Sequence, residues 1–210
     1  MKKEELKIVI SISSVVSMII GGIYIWIKAE DMNLQNIFRA VSYGLSISTF
    51  FWAFYFSKGW KWSMLDKIFY RPNLNGTWSG VLISDWKNPT GQATHPKEFY
   101  IVIRQSFLRI HFTTFTDDFI GLSYSETFYL NKNKGIKNIA YMYIKDTTQQ
   151  GDNDILQEGA AELRYIESDV KTLEGKYFSN IKTNGKIKVN FSSRKHVDSF
   201  IDARKINQNE

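Results

Sequence analysis

Residues 8–27 read IVISISSVVSMIIGGIYIWI, twenty consecutive positions without a charged side chain. At 1.5 Å per residue, a helix of this length spans about 30 Å, the thickness of one bilayer core. A second uncharged run, AVSYGLSISTFFWAFYFS at residues 40–57, is also long enough to span, and only a short polar segment separates the two. The sequence therefore predicts a transmembrane hairpin within residues 1–71.

A cleaved signal peptide is the alternative interpretation of the first run. Its apolar region would be shorter, and a small-residue cleavage site would follow it, whereas Tyr24 and Trp26 stand there as aromatics suited to a bilayer interface. Three Lys or Arg residues precede the hairpin and four follow it, against two in the loop between the spans. The positive-inside rule then places both termini of this multi-pass protein in the cytoplasm.

Each predicted span carries small residues at four-residue spacing, which lets helix backbones approach closely in lipid. The two stripes either pack the hairpin on itself or join separate protomers, and the two possibilities are compatible. The stripe residues are Ser13, Ser17 and Gly21 in the first span and Ala40, Gly44 and Ser48 in the second.

From residue 72 onward the pattern changes to short runs of alternating polarity, rich in β-branched and aromatic residues and separated by turn-like segments. Eight such runs predict an eight-stranded antiparallel, lipocalin-like β-barrel over residues 72–210, a cytoplasmic domain with an interior that is filled or holds one small ligand. A short amphipathic helix is expected at Lys195–Ile206. The predicted strands are Thr77–Asp85, Glu98–Gln105, Leu108–Thr116, Ile120–Asn131, Asn138–Lys145, Gly159–Glu167, Leu173–Asn180 and Lys186–Ser192.

Composition excludes several classes of function. The net charge of +6 comes mostly from residues 1–71, whereas residues 72–210 carry 18 basic and 16 acidic side chains, so binding of a DNA or RNA polymer is not expected. The chain has no cysteine, and its three histidines are scattered, so we expect no catalytic residue, no metal site and no cofactor.

Two short motifs accompany the barrel pattern: N-L-x-G-x-W-x-G at Asn73–Gly80, and L-x-G-x-Y followed by T-x-G-x-I within Leu173–Ile187. With the N-terminal hairpin, they make the chain resemble the two-transmembrane, β-strand-rich effectors of bacterial cyclic-oligonucleotide antiphage signalling systems (CBASS). The resemblance covers nearly the whole chain. In that family an Arg commonly stands a few residues after the Tyr, where this sequence has Ile181 and Lys182.

The resemblance implies an abortive-infection effector. A partner cyclic-oligonucleotide synthase would make a cyclic dinucleotide as the activating ligand, and the barrel would bind it. The protein would then form a homo-oligomer through its barrel and transmembrane helices and disrupt the lipid of the inner membrane.

A site for such a ligand needs aromatic faces for the bases and cations for the phosphates. The first candidates are Tyr177, Arg109 and Arg164, although both arginines could instead lie on a solvated outer face. The further candidates are Trp78, Tyr143, Lys182 and Thr183.

The sequence is also compatible with two other functions. A membrane-tethered lipocalin-like barrel that binds a lipid or another apolar molecule would have a lumen lined by aliphatic side chains without cations. A structural membrane protein would have a barrel packed with large side chains and no pocket.

Overall fold

The computed structural model describes residues 3–28, 33–62, 64–65, 68–69, 71–87, 91–92, 95–131, 133–147 and 157–208. Its first two elements are the helices α1 (Lys3–Lys28) and α2 (Leu34–Ser57). Both are long and apolar enough to cross a membrane, and they contain the predicted spans. Most of their apolar side chains are exposed, as expected for helices that face lipid, so the pair indicates a membrane anchor.

The two small-residue stripes face each other within the hairpin. A Cβ added to Gly44 would lie 2.7 Å from the Cα of Ser17, and one added to Gly21 would lie 3.4 Å from the Cβ of Ala40. At one end of this contact, the indole Nε1 of Trp52 donates a hydrogen bond of 2.8 Å to the Oγ of Ser13. The hydroxyls of the remaining stripe pair, Ser17 and Ser48, are 3.5 Å apart.

The chain forms two compact units, one comprising residues 1–69 with 106–108 and the other residues 70–105 with 109–210. The first unit also contains a cluster of buried aromatic side chains, two of which lie on α2. Its members are Trp52, Tyr55, Trp60, Phe69 and Phe107.

The second unit is a closed barrel in which each strand pairs with the next and β8 pairs with β1, all antiparallel. The predicted eight-stranded barrel is therefore confirmed, and no strand boundary differs from its predicted position by more than two residues. The strands are β1 (Gly76–Ser84), β2 (Lys97–Gln105), β3 (Ile110–Phe115), β4 (Phe119–Asn131), β5 (Ile136–Thr147), β6 (Gln157–Ile166), β7 (Thr172–Ser179) and β8 (Asn184–Ser193).

One end of the barrel is plugged by Trp78, which is 1% exposed. Its indole Nε1 donates a 2.9 Å hydrogen bond to the carbonyl of Leu74, and its ring meets the rings of Tyr165 and Phe191 edge-on. This is the end at which the chain enters the barrel, and the Gln105 side chain accepts a hydrogen bond from the Leu74 amide there. Alternate residues of all eight strands fill the interior above the plug with apolar side chains.

A third helix, α3 (Phe200–Gln208), covers part of the outer wall. Ala203 is buried with Tyr100, Val102 and Phe115, outward-facing residues of β2 and β3 that would otherwise be exposed to water. The predicted C-terminal helix is confirmed, although it begins five residues later than expected and ends two residues later.

Candidate functional site

A pocket of about 260 Å³ opens at the barrel end opposite the Trp78 plug. It lies where β1, β5 and β7 end and where β2, β4 and β8 begin. The volume is close to the lower end of the usual range for small-molecule sites, roughly 300–1,000 Å³. Its lining includes Ser84, Lys97, Phe119, Lys145, Tyr177 and Thr183.

Two tyrosines lie at the inner end of the pocket, each opposite a glycine of the neighbouring strand. Tyr177 lines the pocket itself, and Tyr143 lines a smaller space that shares part of its lining. Tyr177 pairs with Gly185 across β7 and β8, and Tyr143 pairs with Gly159 across β5 and β6. A Cβ at Gly185 would lie 2.5 Å from the Cε1 of Tyr177, and one at Gly159 would lie 2.5 Å from the phenol oxygen of Tyr143. Both glycines are therefore needed for the rings to lie where they do, which explains the glycine of the T-x-G-x-I motif.

Burial raises the pKa of both tyrosines above the usual value. It raises the pKa of Tyr143, and the neighbouring Tyr177 raises it further. Burial also raises the pKa of Tyr177, while a hydrogen bond with the Ser84 side chain acts in the opposite direction. Both phenols are thus neutral at physiological pH.

Two lysines supply the positive charge of the pocket. Lys145 continues the inward-facing series of Tyr141 and Tyr143 on β5, and its Nζ lies 4.3 Å from the centroid of the Phe119 ring. Burial lowers the pKa of Lys145, and the like charge of Lys97 lowers it further. Lys97 at the start of β2 forms an ion pair with Asp118. The arrangement would be stabilised by an anion, because a partly desolvated ammonium group beside a like charge is unfavourable without one.

Hydroxyl groups complete the rim. Ser179 and Thr183 flank the turn between β7 and β8, and their hydroxyl oxygens are 2.7 Å apart. Lys182 adopts a φ of 58° in this turn, and its side chain is exposed next to Thr183. The rim therefore offers donors and acceptors suited to polar edges of a ligand.

The structure brings some of the predicted ligand-binding residues together at this end. Tyr177 and Thr183 line the pocket, Tyr143 lines a smaller space directly below it, and Lys182 is adjacent to Thr183 in the turn.

The other three predicted ligand-binding residues do not lie at the pocket. Trp78 is the plug of the opposite end. Arg164 stands between the inward-facing Leu163 and Tyr165, so the alternation of the strand directs it to the outer wall, where it is exposed. Arg109 precedes β3 and is also exposed. The structure therefore does not bring these three residues to the pocket with the other four.

Sequence reasoning missed the two pocket lysines, although a signal for both was present. Tyr141, Tyr143 and Lys145 stand at alternate positions of one strand, and so do Lys97 and Phe99. A lysine that continues an apolar inward face at or near the end of a strand lies at a barrel mouth.

One cluster outside the pocket contains the residue types of a catalytic triad. The Oγ of Ser123 and a carboxylate oxygen of Glu126 both lie 3.1 Å from the same nitrogen of His111, Nδ1. A triad requires the nucleophile and the acid on opposite ring nitrogens, so this geometry does not support nucleophilic catalysis. Among the described residues, no group of three or more His, Asp or Glu side chains is placed to hold a metal ion.

A family model described as the Cap15 cyclic dinucleotide receptor domain matches residues 69–190, more than half of the chain. The match includes every residue of the pocket described above. No curated protein matches the chain.

Proposed function

Because the chain belongs to the Cap15 cyclic dinucleotide receptor family, we propose that its ligand binds in the pocket at the open end of the barrel. The family is one of receptors and not of catalysts, and the chain is a cyclic-dinucleotide-binding barrel linked to a membrane anchor. The observation that supports this location is the meeting of Lys145, Lys97 and Tyr177 in one pocket.

The chemistry of the pocket matches the parts of such a ligand. A phosphate would accept charge-assisted hydrogen bonds from Lys145 and Lys97 and relieve the repulsion between them. A base would stack on the exposed part of the Tyr177 or Phe119 ring, and its polar edge would meet Thr183 or Ser84. An uncharged apolar molecule would leave the partly desolvated Lys145 ammonium group without a counter-charge, since Asp118 pairs with Lys97, and this disfavours that alternative.

The proposal extends to the events after binding. The ligand would drive assembly of several chains in the inner membrane, and the hairpins would then disrupt the bilayer in an abortive-infection response. A synthase for the cyclic dinucleotide would be the functional partner, and residues 72–210 would lie in the cytoplasm. Two observations support this extension: the membrane-spanning length of α1 and α2, and the membership of a receptor family.

The test is a thermal-shift measurement on the full chain in detergent, with a panel of cyclic dinucleotides that contain adenine, guanine and uracil. At a ligand concentration one hundred times the Kd, the stabilisation expected from linkage is about 2.7 kcal/mol. A selective rise in Tm with one member of the panel supports the proposal. A well-folded protein that responds to no member, and that responds to a fatty acid, contradicts it.

A further inference from the structure

The outer face of β6 and β7 carries opposite charges in directly opposed cross-strand positions. Arg164 faces Glu174, and Glu162 faces Lys176 in the next row. The following row pairs the small Ala160 with Phe178, which is 60% exposed. Arg164, Glu162 and Lys176 are also exposed.

These charged groups are largely uncommitted within the chain. In the part of the chain that the structure describes, the side chains of Arg164, Glu174 and Lys176 make no hydrogen bond or ion pair. Glu162 accepts one hydrogen bond, 2.9 Å from the Nδ2 of Asn138. An exposed aromatic ring and an exposed arginine are residue types that are enriched at protein interfaces.

We propose that this face is the surface through which two copies of the chain associate, about a two-fold axis that runs parallel to the strands between β6 and β7. The inference rests on the ligand-driven assembly proposed above and identifies its surface. The contact is isologous, because each copy contributes the same residues.

We infer a second copy of the chain as the binding partner because this face is complementary to itself. Rotation by 180° about this axis places β6 of one copy over β7 of the other and keeps every residue in its own row. Arg164 then faces the partner's Glu174, Glu162 faces the partner's Lys176, and Ala160 faces the partner's Phe178. Each opposite-charge pair occurs twice, and each large ring meets a small side chain.

The direction of the axis also suits an anchored protein. Rotation about an axis parallel to the strands leaves the entry ends of both barrels on the same side, where each chain comes from its anchor. This arrangement is compatible with two chains inserted in one membrane in the same orientation. An axis across the strands would place the two entry ends on opposite sides.

The proposed contact is small. A barrel wall is convex, so two walls touch over only a few strands, and the buried area stays below that of a stable soluble dimer, about 1,200–2,000 Å². Association then depends on the high local concentration of chains in the membrane and on a second contribution from the bound ligand.

Cross-linking of single-cysteine variants tests the surface, and the absence of native cysteine makes the labelling specific. The full chain is reconstituted in vesicles of phosphatidylethanolamine and phosphatidylglycerol with the same panel of cyclic dinucleotides. Ala160→Cys is compared with Lys205→Cys on α3, which covers the wall of β2 and β3. A bifunctional maleimide that spans about 10 Å, the separation of packed sheets, should join two copies through position 160 and not through position 205.

Charge exchange provides the second test. Lys176→Glu alone and Glu162→Lys alone should each lower the association constant on the order of tenfold, because two exposed pairs change from attraction to repulsion. The double variant should restore association, and Lys205→Glu should leave it unchanged.

The outcomes separate this inference from the proposed function. If a nucleotide raises the Tm but position 160 cross-links no better than position 205, or if the double variant fails to recover, the surface is wrong while ligand binding stands. If no nucleotide raises the Tm, the proposed function fails, whereas cross-linking through position 160 in densely loaded vesicles would still support the surface. Quenching of a fluorophore at position 160 by spin-labelled lipid would assign the face to the bilayer and overturn the inference.

Discussion

Replacement of Lys145 by methionine should remove ligand affinity while leaving the ligand-free barrel at least as stable. Methionine keeps most of the apolar part of the side chain, and it lacks the ammonium group that lies over Phe119 and is partly desolvated beside Lys97. A charge-assisted hydrogen bond contributes about 1.5–3 kcal/mol, so its loss should weaken binding about 10- to 150-fold.

The expected size of the thermal effect is given by linkage. At a ligand concentration one hundred times the wild-type Kd, the wild-type barrel gains about 2.7 kcal/mol of stability. With a Kd raised about 100-fold, the variant gains only about 0.4 kcal/mol at that concentration. Differential scanning fluorimetry and isothermal titration calorimetry report the two quantities independently. The matched control is Lys205→Met, an exposed lysine on α3.

The pH dependence of stability provides a second test of the role of Lys145. Since the folded state binds the Lys145 proton less tightly than the unfolded state, wild-type stability should rise with pH between the lowered pKa and the usual value of 10.5. The contribution is absent from Lys145→Met, so the stability advantage of the variant should shrink over that window. A variant that is destabilised at pH 7, or that binds with wild-type affinity, would refute the assignment of Lys145 as a desolvated phosphate-binding group.

Three further outcomes are expected. Gly185→Ala should destabilise the barrel by about 1–3 kcal/mol, because the new Cβ would lie 2.1 Å from the Ile83 carbonyl oxygen. The same Cβ would displace the Tyr177 ring and weaken ligand binding. Denaturant unfolding measures the first effect and calorimetry the second. The free energy of unfolding should fall as the pH rises from 10 toward 12, because burial raises the pKa of Tyr165 to about 12. In this range the folded state keeps a proton that the unfolded state releases, so tyrosinate absorbance and circular dichroism should change together. Ser17→Leu with Gly44→Leu should abolish ligand-induced dye leakage from vesicles without changing ligand affinity, whereas Gly22→Leu should preserve leakage because a Cβ there meets no atom within 4 Å.

The architecture could be predicted from sequence because it depends on patterns that a single chain displays. The uncharged runs at 8–27 and 40–57 predict the hairpin, and the alternation of polarity predicts the eight strands. Differences arose at strand ends. For example, β5 extends two residues beyond its predicted bounds on each side, because its backbone pairing with β4 continues there although its pairing with β6 does not.

The site was only partly predictable, since it depends on which strand ends meet. Lys97 and Lys145 are 48 positions apart in the sequence, and only closure of the barrel brings both to one mouth. Arg164 illustrates the opposite case. Its residue type suits a phosphate, but the apolar neighbours at 163 and 165 fix its side chain on the outer wall. Parity along a strand therefore decides more about a barrel site than residue type does.

Hydrogen–deuterium exchange of the full chain, with and without the cyclic dinucleotide that raises its Tm, tests the location of the binding site most directly. We predict that the ligand protects the segments at the open mouth, residues 82–87, 95–99 and 177–183, and leaves exchange around Trp78 and Phe191 unchanged. Protection centred on the plugged end, or spread evenly over the barrel without a maximum at the mouth, would contradict the account.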